Sequence, residues 1–148
     1  MPQPESLVVD ASAIVDLLAR TSHASSVGAR LRGSRWHAPV HLDAEVLSAL
    51  GRLERAGALD ATEAANGVLA LSELPIERHA LTPLLLGAWA LRHELRLVDG
   101  LYVELARQLG MRLITTDQRL GRAAPIAETI NWTHWHYCGA PWKRCSAN

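Results

Sequence analysis

The fold is decided by residues 7–18, whose sequence is LVVDASAIVDLL. The apolar run 7–9 is too short for a helix, and its β-branched residues predict a buried parallel strand. Ser12 is a favourable N-cap for an amphipathic helix over 13–20. Asp10 therefore lies where a strand passes into a helix, at the sheet edge where α/β proteins bind ligands. An acid in that position either caps the helix or belongs to a binding site.

The composition predicts one globular domain and excludes two classes of nucleotide-binding protein. The 148 residues are 49% hydrophobic and 20% charged, with a net charge of zero, so no general polyanion-binding surface is expected. Fourteen of the fifteen basic residues are arginines, and the single lysine, Lys143, follows a tryptophan. A Walker A loop needs a lysine after its glycines, and no G-x-G-x-x-G fingerprint occurs either.

The sequence indicates a cytoplasmic protein without membrane association. The first six residues, MPQPES, lack the basic and apolar regions of a signal peptide. The longest apolar run, around 84–91, is too short to span a bilayer. Both cysteines, Cys138 and Cys145, lie near the C-terminus and offer no disulfide framework.

The rest of the chain alternates helical and extended patterns, which predicts an α/β fold. We expect a central parallel β-sheet of four to five strands flanked by helices on both faces. Residues 1–128 form the predicted domain, and residues 129–148 hold the last edge strand and a C-terminal tail. Helices are predicted from a Ser22 cap to 32, over 42–56, from an Asp60 capping box to 72, from Thr82-Pro83 to 94, and over 99–109. Extended segments are predicted at 36–39, 74–79 and 112–116 and near 128–132.

Four acids recur at the predicted ends of strands or starts of helices: Asp10, Glu45, Asp99 and Asp117. Each alone is explained as a helix cap or as a favourable partner of the helix dipole. Capping alone does not predict that several of these acids gather at one edge of the sheet, as the parallel strands would make them do. Carboxylates gathered there repel one another unless some are protonated or a cation binds among them.

Oxygen ligands of this kind favour Mg²⁺ or Mn²⁺ over zinc. A water molecule on such an ion can attack a phosphodiester while the ion stabilises the developing charge. The hydroxyls of Ser12, Thr115 and Thr116 flank two of the acids and are candidates for orienting metal, water or phosphate. Helix capping and strand packing explain the same three residues without a functional role.

Four stretches resemble the motifs of PIN domains, and in particular those of VapC-type ribonuclease toxins from type II bacterial toxin–antitoxin pairs. The resemblance extends from about residue 7 to residue 125 and rests on the order and spacing of the four motifs together. The motifs are VVDASA at 8–13, HLDAEVLSAL at 41–50, LVDGLYVELA at 97–106 and LITTDQRL at 113–120.

The resemblance implies a Mg²⁺- or Mn²⁺-dependent endoribonuclease. It implies hydrolysis of tRNA or rRNA to 5′-phosphate and 3′-hydroxyl products, which blocks translation. It also implies a homodimer, neutralised by a VapB-type antitoxin whose C-terminal segment occupies the active-site groove. The four acids of the family, which are catalytic and metal-binding, fall at Asp10, Glu45, Asp99 and Asp117.

Two other readings compete with a nuclease. A PIN-like module without catalytic activity would bind only RNA or a protein partner. A phosphotransfer protein also places an aspartate after its first parallel strand. A receiver domain needs a late lysine, and none precedes Lys143; a dehalogenase-type phosphatase would carry a second aspartate where Ser12 stands.

Charged and aromatic residues outside the four acids are given structural roles. Asp43 is interpreted as a helix N-cap, with a supporting contact to the acidic site as the alternative, and Asp16 as a solvated helix residue. Arg92 and Arg96 suit the negative pole at the end of the helix that begins at Pro83, and contact with RNA phosphates is the alternative role for both. Trp89 is assigned to the core or to a dimer interface.

The C-terminal tail from residue 131 onward has no helical or strand period. It contains three tryptophans that could stack on bases, Trp132, Trp135 and Trp142. It also contains four zinc-competent side chains, although their spacing matches no common zinc motif: His134, His136, Cys138 and Cys145.

Overall fold

A computed structural model of the chain describes residues 2–131. The hypotheses on the C-terminal tail concern residues 132–148, which lie outside the described residues. No helix within the described range is both long and apolar enough to cross a membrane.

A five-stranded, fully parallel β-sheet forms the centre of the protein, with strand order β3-β2-β1-β4-β5. The predicted α/β class and the predicted parallel sheet are therefore confirmed. The first strand is the middle one, and the chain moves outward from it in both directions. The strands are β1 (Ser6–Val9), β2 (Arg35–Pro39), β3 (Ile76–His79), β4 (Arg112–Thr115) and β5 (Ala127–Thr129).

Seven α-helices connect and cover these strands within the described residues. Helix α6 packs across β1, β2 and β4, and helix α1 packs on β4 and against α2 and α3. The helices are α1 (Ala11–Leu18), α2 (Ala24–Leu31), α3 (Leu42–Arg55), α4 (Ala61–Glu73), α5 (Leu85–Ala90), α6 (Leu97–Leu109) and α7 (Gln118–Ala123). A 3₁₀ turn, Thr82–Leu84, precedes α5.

The central position of β1 explains its unbroken apolar sequence. Leu7, Val8 and Val9 are completely buried, as expected for a parallel strand covered on both faces. Leu113 and Ile114 of β4 are equally buried beside them. Asp10 follows this rigid core directly, and its backbone N–H still donates to the Ile114 carbonyl at 2.9 Å. The first functional candidate is thus fixed by the best-packed part of the sheet.

Capping of the helices agrees with the sequence at α4 and differs at α1. Asp60 and Glu63 form the predicted capping box. The N-cap of α1 is Asp10, whose side chain makes no capping bond, so the assignment of that cap to Ser12 is wrong. Ser12 lies inside the first turn, and its hydroxyl donates to the Asp10 carboxylate at 2.6 Å instead.

The helix predicted from Thr82 to residue 94 is much shorter. Its first turn is the 3₁₀ turn, in which Thr82 makes no capping bond, and α5 ends at Ala90. The backbone N–H groups of Leu91 and Arg92 donate to carbonyls three residues earlier, which tightens and closes the last turn. Trp89 is 56% exposed on this short helix, so it does not belong to the core.

Candidate active site

An open cleft of about 480 Å³ lies at the carboxyl edge of the sheet. Its walls come from the residues after β1 and β4 and from the first turns of α3 and α6. All four acids singled out from the sequence line this cleft, which we call the acid cleft: Asp10, Glu45, Asp99 and Asp117. Two arginines, Arg52 and Arg96, line it as well.

Asp10 is the deepest of the four, with 5% of its surface exposed. One carboxylate oxygen, Oδ2, accepts hydrogen bonds from Ser12 Oγ at 2.6 Å and from Thr115 Oγ1 at 2.7 Å. Burial raises the pKa of Asp10 to about 6; the two hydroxyls oppose this shift, while the charges of Asp99 and Glu45 add to it. Asp10 is therefore ionised at neutral pH, at an energetic cost that a bound cation would relieve.

The hydroxyls of Ser12 and Thr115 also brace the turn after β4. Ser12 Oγ accepts the backbone N–H of Thr116 at 3.1 Å, and Thr115 Oγ1 accepts that of Asp117 at 3.0 Å. Each hydroxyl therefore donates to Asp10 and accepts from the segment that carries Asp117. The two hydroxyls couple the positions of two acids that are 107 residues apart in the sequence.

Glu45 is held by an aromatic residue of α6. The Tyr102 hydroxyl donates to Glu45 Oε2 at 2.6 Å, and the Tyr102 side chain is completely buried. Burial raises the pKa of Tyr102, and the charge of Asp10 raises it further, so the phenol remains a proton donor. His41 packs on the Tyr102 ring with 4.7 Å between ring centroids, and its Nε2 lies 3.7 Å from Glu45 Oε2.

Arg96 contacts two of the acids, Asp99 and Asp117. Its guanidinium donates to both oxygens of Asp99, at 2.7 and 3.2 Å, and lies 3.6 Å from Asp117. The expectation that Arg96 serves the end of the preceding helix is wrong, because α5 ends at Ala90 and Arg96 is the N-cap residue of α6. Arg92 does donate to the Trp89 carbonyl in the last turn of α5.

Asp117 has two roles in the structure. Its Oδ1 accepts the backbone N–H groups of Arg119 and Leu120, which caps α7. Its other oxygen, Oδ2, lies 3.6 Å from Arg96 and from Arg119. The capping explanation is therefore correct for Asp117, and it does not remove this carboxylate from the acid cleft.

Thr116 and Asp16 form a separate polar contact behind the cleft. The Thr116 hydroxyl donates to Asp16 Oδ2 at 2.6 Å, and the Thr21 hydroxyl donates to Asp16 Oδ1 at 2.5 Å. The side chain of Asp16 is only 16% exposed, so its interpretation as a solvated residue is wrong. The Thr116 hydroxyl therefore bonds to Asp16 of α1 and not to one of the four acids of the cleft.

Asp43 belongs to a structural ion pair. Arg78 of β3 donates to both of its oxygens, at 2.7 and 3.0 Å. The cap position of α3 is occupied by His41, and Asp43 lies in the first turn. The N-cap assignment of Asp43 is therefore wrong, and the pair instead fastens α3 to the edge strand.

Sequence reasoning missed Tyr102 and His41 as part of this site, and it favoured a helix end over an RNA phosphate as the partner of Arg96. All three lie in or next to the quoted motifs, yet their partners are three to 57 residues away in sequence. The Nδ1 of His41 is buried without a hydrogen-bond partner in the described residues. His41 and Glu45 lie four residues apart at the start of α3, so their proximity is local. The contacts of both residues with Tyr102 join α3 to α6, and no local pattern encodes them.

The match to known families covers this whole site. The PIN-domain family matches residues 7–125, a range that contains all four acids. Ribonuclease VapC3 of Mycobacterium tuberculosis is 57% identical over 128 residues, which are 86% of this chain and 93% of that protein. The chain belongs to the PIN-domain family. Ribonuclease VapC12 of the same species is 38% identical over 117 residues, 79% of this chain and 91% of that protein.

Solved structures have the same fold as this PIN domain. A protein of Pyrobaculum aerophilum superposes with a TM-score of 0.65 at 24% identity, covering 86% of this chain and 85% of its own. A toxin–antitoxin complex from Klebsiella pneumoniae gives a TM-score of 0.64 at 17% identity, covering 86% of this chain and 99% of the matched chain. At these identities the likeness concerns the fold, and relatives with higher identity carry the family assignment: this is a PIN domain of the VapC ribonuclease type.

Proposed function

We propose that this PIN domain is a metal-dependent endoribonuclease toxin. It hydrolyses phosphodiester bonds of tRNA or rRNA in the cytoplasm to 5′-phosphate and 3′-hydroxyl ends, and so blocks translation. The observation that carries the proposal is the convergence of four carboxylates, from four separate parts of the chain, on one open cleft. Identity to ribonucleases of the same family over most of the chain supports it.

The donor set of the acid cleft fits a hard divalent cation. Asp10, Glu45, Asp99 and Asp117 would hold Mg²⁺ or Mn²⁺, which supplies a nucleophilic water and neutralises charge on the scissile phosphate. The raised pKa of Asp10, which burial causes and the charges of Asp99 and Glu45 increase, fits such a site, because a bound cation would stabilise the ionised carboxylate. In the described residues, no three of these carboxylates have ligand atoms that all lie within 4.8 Å of one another. This spacing suits an ion that keeps several water ligands.

The protein's own groups prepare two carboxylates for this role. Asp10 uses Oδ2 for both hydroxyl bonds, and Glu45 uses Oε2 for the Tyr102 bond. In the described residues, the second oxygen of each carboxylate makes no hydrogen bond and remains open to a ligand. Fixing these side chains beforehand reduces the entropy lost when the substrate and the cation bind.

Arg96 is assigned to the RNA backbone. It is paired with Asp99 and Asp117 in the structure, and its side chain is 59% exposed. With a cation bound by these acids, the guanidinium would be available to a phosphate, for which its planar donor pair is well suited. Arg52, which also lines the cleft, offers a second phosphate contact.

A VapB-type antitoxin and a second copy of the chain are the proposed partners. A structural neighbour is itself a toxin–antitoxin complex, and the antitoxin would block the acid cleft. The dimer is supported by exposed apolar residues on α5, with Leu85 52%, Leu86 86% and Trp89 56% exposed. Light scattering of the wild type and of Leu86→Glu tests this surface: a dimer that persists in the variant would contradict its use.

The activity is tested by mapping new 5′-phosphate ends in cellular RNA after brief induction. We expect discrete new ends and growth arrest with the wild type, and neither with Asp10→Asn. Glu94→Gln, an exposed acid outside the cleft, is the matched control and should behave as the wild type. If RNA stays intact while the protein still binds it, the alternative of a catalytically silent RNA-binding module replaces the nuclease.

A further inference from the structure

Two neighbouring strands bring three metal-competent side chains together outside the acid cleft. His37 of β2 is paired in register with Glu77 of β3, and His79 follows two residues later on β3. Residues at the same register and two apart in a strand project from the same face of a sheet. We call His37, Glu77 and His79 the histidine–glutamate cluster; none of them lines the acid cleft.

The distances within the histidine–glutamate cluster match those between ligands of a tetrahedral metal ion. His37 Nδ1 lies 3.1 Å from His79 Nε2 and 3.5 Å from Glu77 Oε2, and His79 Nε2 lies 3.7 Å from Glu77 Oε1. Tetrahedral ligands at bond lengths near 2.0–2.1 Å are separated by about 3.3 Å. Small side-chain adjustments would therefore place all three donors around one ion.

The donor set indicates the class of metal. Two imidazole nitrogens and one carboxylate suit Zn²⁺ and similar transition metals, whereas Mg²⁺ prefers oxygen ligands. Among the described residues, this is the group of three whose ligand atoms lie within 4.8 Å of one another.

Exposure of the cluster leaves room for a metal to enter. The His37 side chain is 11% exposed, that of His79 24% and that of Glu77 67%. The three side chains of the cluster would thus bind the metal from the sheet, and its fourth coordination position would face solvent. Zinc sites with an open coordination position have this arrangement.

We propose that the histidine–glutamate cluster is a Zn²⁺-binding site that ties the edge strand β3 to β2. Among the described residues, β3 is one of the two edge strands of the sheet, and β2 is its neighbour. Its His79 carbonyl also accepts the backbone N–H of Val40, just before α3 begins. A metal bridge between the two strands therefore stabilises the segment that leads into the first turn of α3.

Zinc binding is tested on full-length protein stripped of metal with a chelator and kept in excess Mg²⁺. Zn²⁺ is titrated by calorimetry and by melting temperature, and Co²⁺ is titrated by visible absorption, which reports tetrahedral nitrogen ligation. The variants are Glu77→Gln and His79→Gln, with the exposed Glu73→Gln and His93→Gln as matched controls. Every protein in this test, including the one called wild type, carries His134→Ala, His136→Ala, Cys138→Ser and Cys145→Ser, which removes the zinc-competent side chains of the tail.

We expect one Zn²⁺ per chain and a higher melting temperature in the wild type and in both controls, because a ligand of the folded state stabilises it. Glu77→Gln should weaken Zn²⁺ binding by at least about tenfold, and His79→Gln should abolish the Co²⁺ absorption. Glu77 is mostly exposed, so its variant folds and keeps the test valid even if His79→Gln does not. Equal Zn²⁺ binding by wild type and Glu77→Gln, or no binding at all, would overturn the proposal.

Discussion

The acid cleft and the histidine–glutamate cluster occupy one sheet but are built in opposite ways. The acids of the cleft lie after strands or in first turns of helices, and other side chains hold three of them: Ser12 and Thr115 hold Asp10, Tyr102 holds Glu45, and Arg96 holds Asp99. The cluster lies within two strands, and its members contact one another.

This difference determines which cation each region suits. Carboxylates at loop and helix ends form a wide site rich in oxygen, which fits a hydrated hard cation. Imidazoles on adjacent strands have spacings set by sheet register, which fits a compact site for a transition metal. The same fold thereby offers two cation sites that are expected to prefer different metals.

The largest effect is expected from Asp99→Asn in the acid cleft. Loss of this carboxylate should lower the rate of RNA cleavage at least a hundredfold, or roughly 3 kcal/mol, because it removes a proposed cation ligand. Cleavage is measured with purified protein in Mg²⁺ and again in Mn²⁺. Glu94→Gln, a change at an exposed acid outside the cleft, serves as control; a rate for Asp99→Asn near that of the control would contradict the assignment.

Asp10→Asn should stabilise the folded protein when no metal is present. The pKa of Asp10 is raised by burial from 3.8 to about 6, so folding is favoured below pH 4 and this advantage is lost as the pH rises through 6. An asparagine keeps an acceptor for both hydroxyls and carries no charge. We expect a gain of about 1–3 kcal/mol at pH 7.5 in chelator.

Urea unfolding at pH 7.5 and at pH 4.5 measures this gain. The difference between wild type and Asp10→Asn should shrink at the lower pH, because Asp10 is then largely protonated in the folded protein. A variant that is less stable than the wild type at pH 7.5 would show that the charge of Asp10 is well compensated without a cation.

Thr115→Val and Thr116→Val distinguish the role of Thr115, which bonds to Asp10 in the acid cleft, from that of Thr116, which bonds to Asp16 behind it. Thr115 is completely buried, and its loss leaves Asp10 with one hydroxyl and the Asp117 N–H without its acceptor, costing about 1–3 kcal/mol of stability. It should also raise the pKa of Asp10 and move the acid limb of the cleavage profile to higher pH. Thr116→Val removes the bond to Asp16 and should leave that limb in place; an equal shift in both would contradict this distinction.

Arg96→Gln is expected to have the smallest effect, and in two opposite directions. Without the guanidinium, Mn²⁺ no longer competes for Asp99, so its affinity should rise a few-fold, or about 1 kcal/mol at most for so exposed a pair. RNA binding should weaken at the same time and become less sensitive to salt. Calorimetry with Mn²⁺ and filter binding with RNA measure the two effects; weaker Mn²⁺ binding would contradict competition by Arg96.

Much of the sheet could be predicted because its signals are local. Leu7 to Val9 form an apolar run that Asp10 follows directly, and the apolar pair Leu113 and Ile114 lies shortly before Asp117. Parallel strands align their carboxyl ends, so the convergence of Asp10 and Asp117 follows from topology alone. Capping chemistry likewise identified Asp60 because both partners lie within four residues.

The remaining features depend on packing between distant segments. Tyr102 reaches Glu45 across 57 residues, and Thr116 reaches Asp16 across 100, so no local pattern connects them. Arg96 was assigned to the wrong helix because α5 ends early, at tight backbone turns that the apolar sequence of the segment does not signal. The histidine–glutamate cluster escaped notice because it needs the register of β2 on β3.

The central claim is that the acid cleft cleaves RNA with the help of a divalent cation. The most direct test incubates purified, chelator-treated protein with RNA and measures 5′-phosphate ends before and after Mg²⁺ or Mn²⁺ is restored. We predict no cleavage without a divalent cation, recovery when Mg²⁺ or Mn²⁺ is added, and no recovery in Asp10→Asn. Cleavage that continues in chelator, or that Asp10→Asn performs at the wild-type rate, would contradict the account.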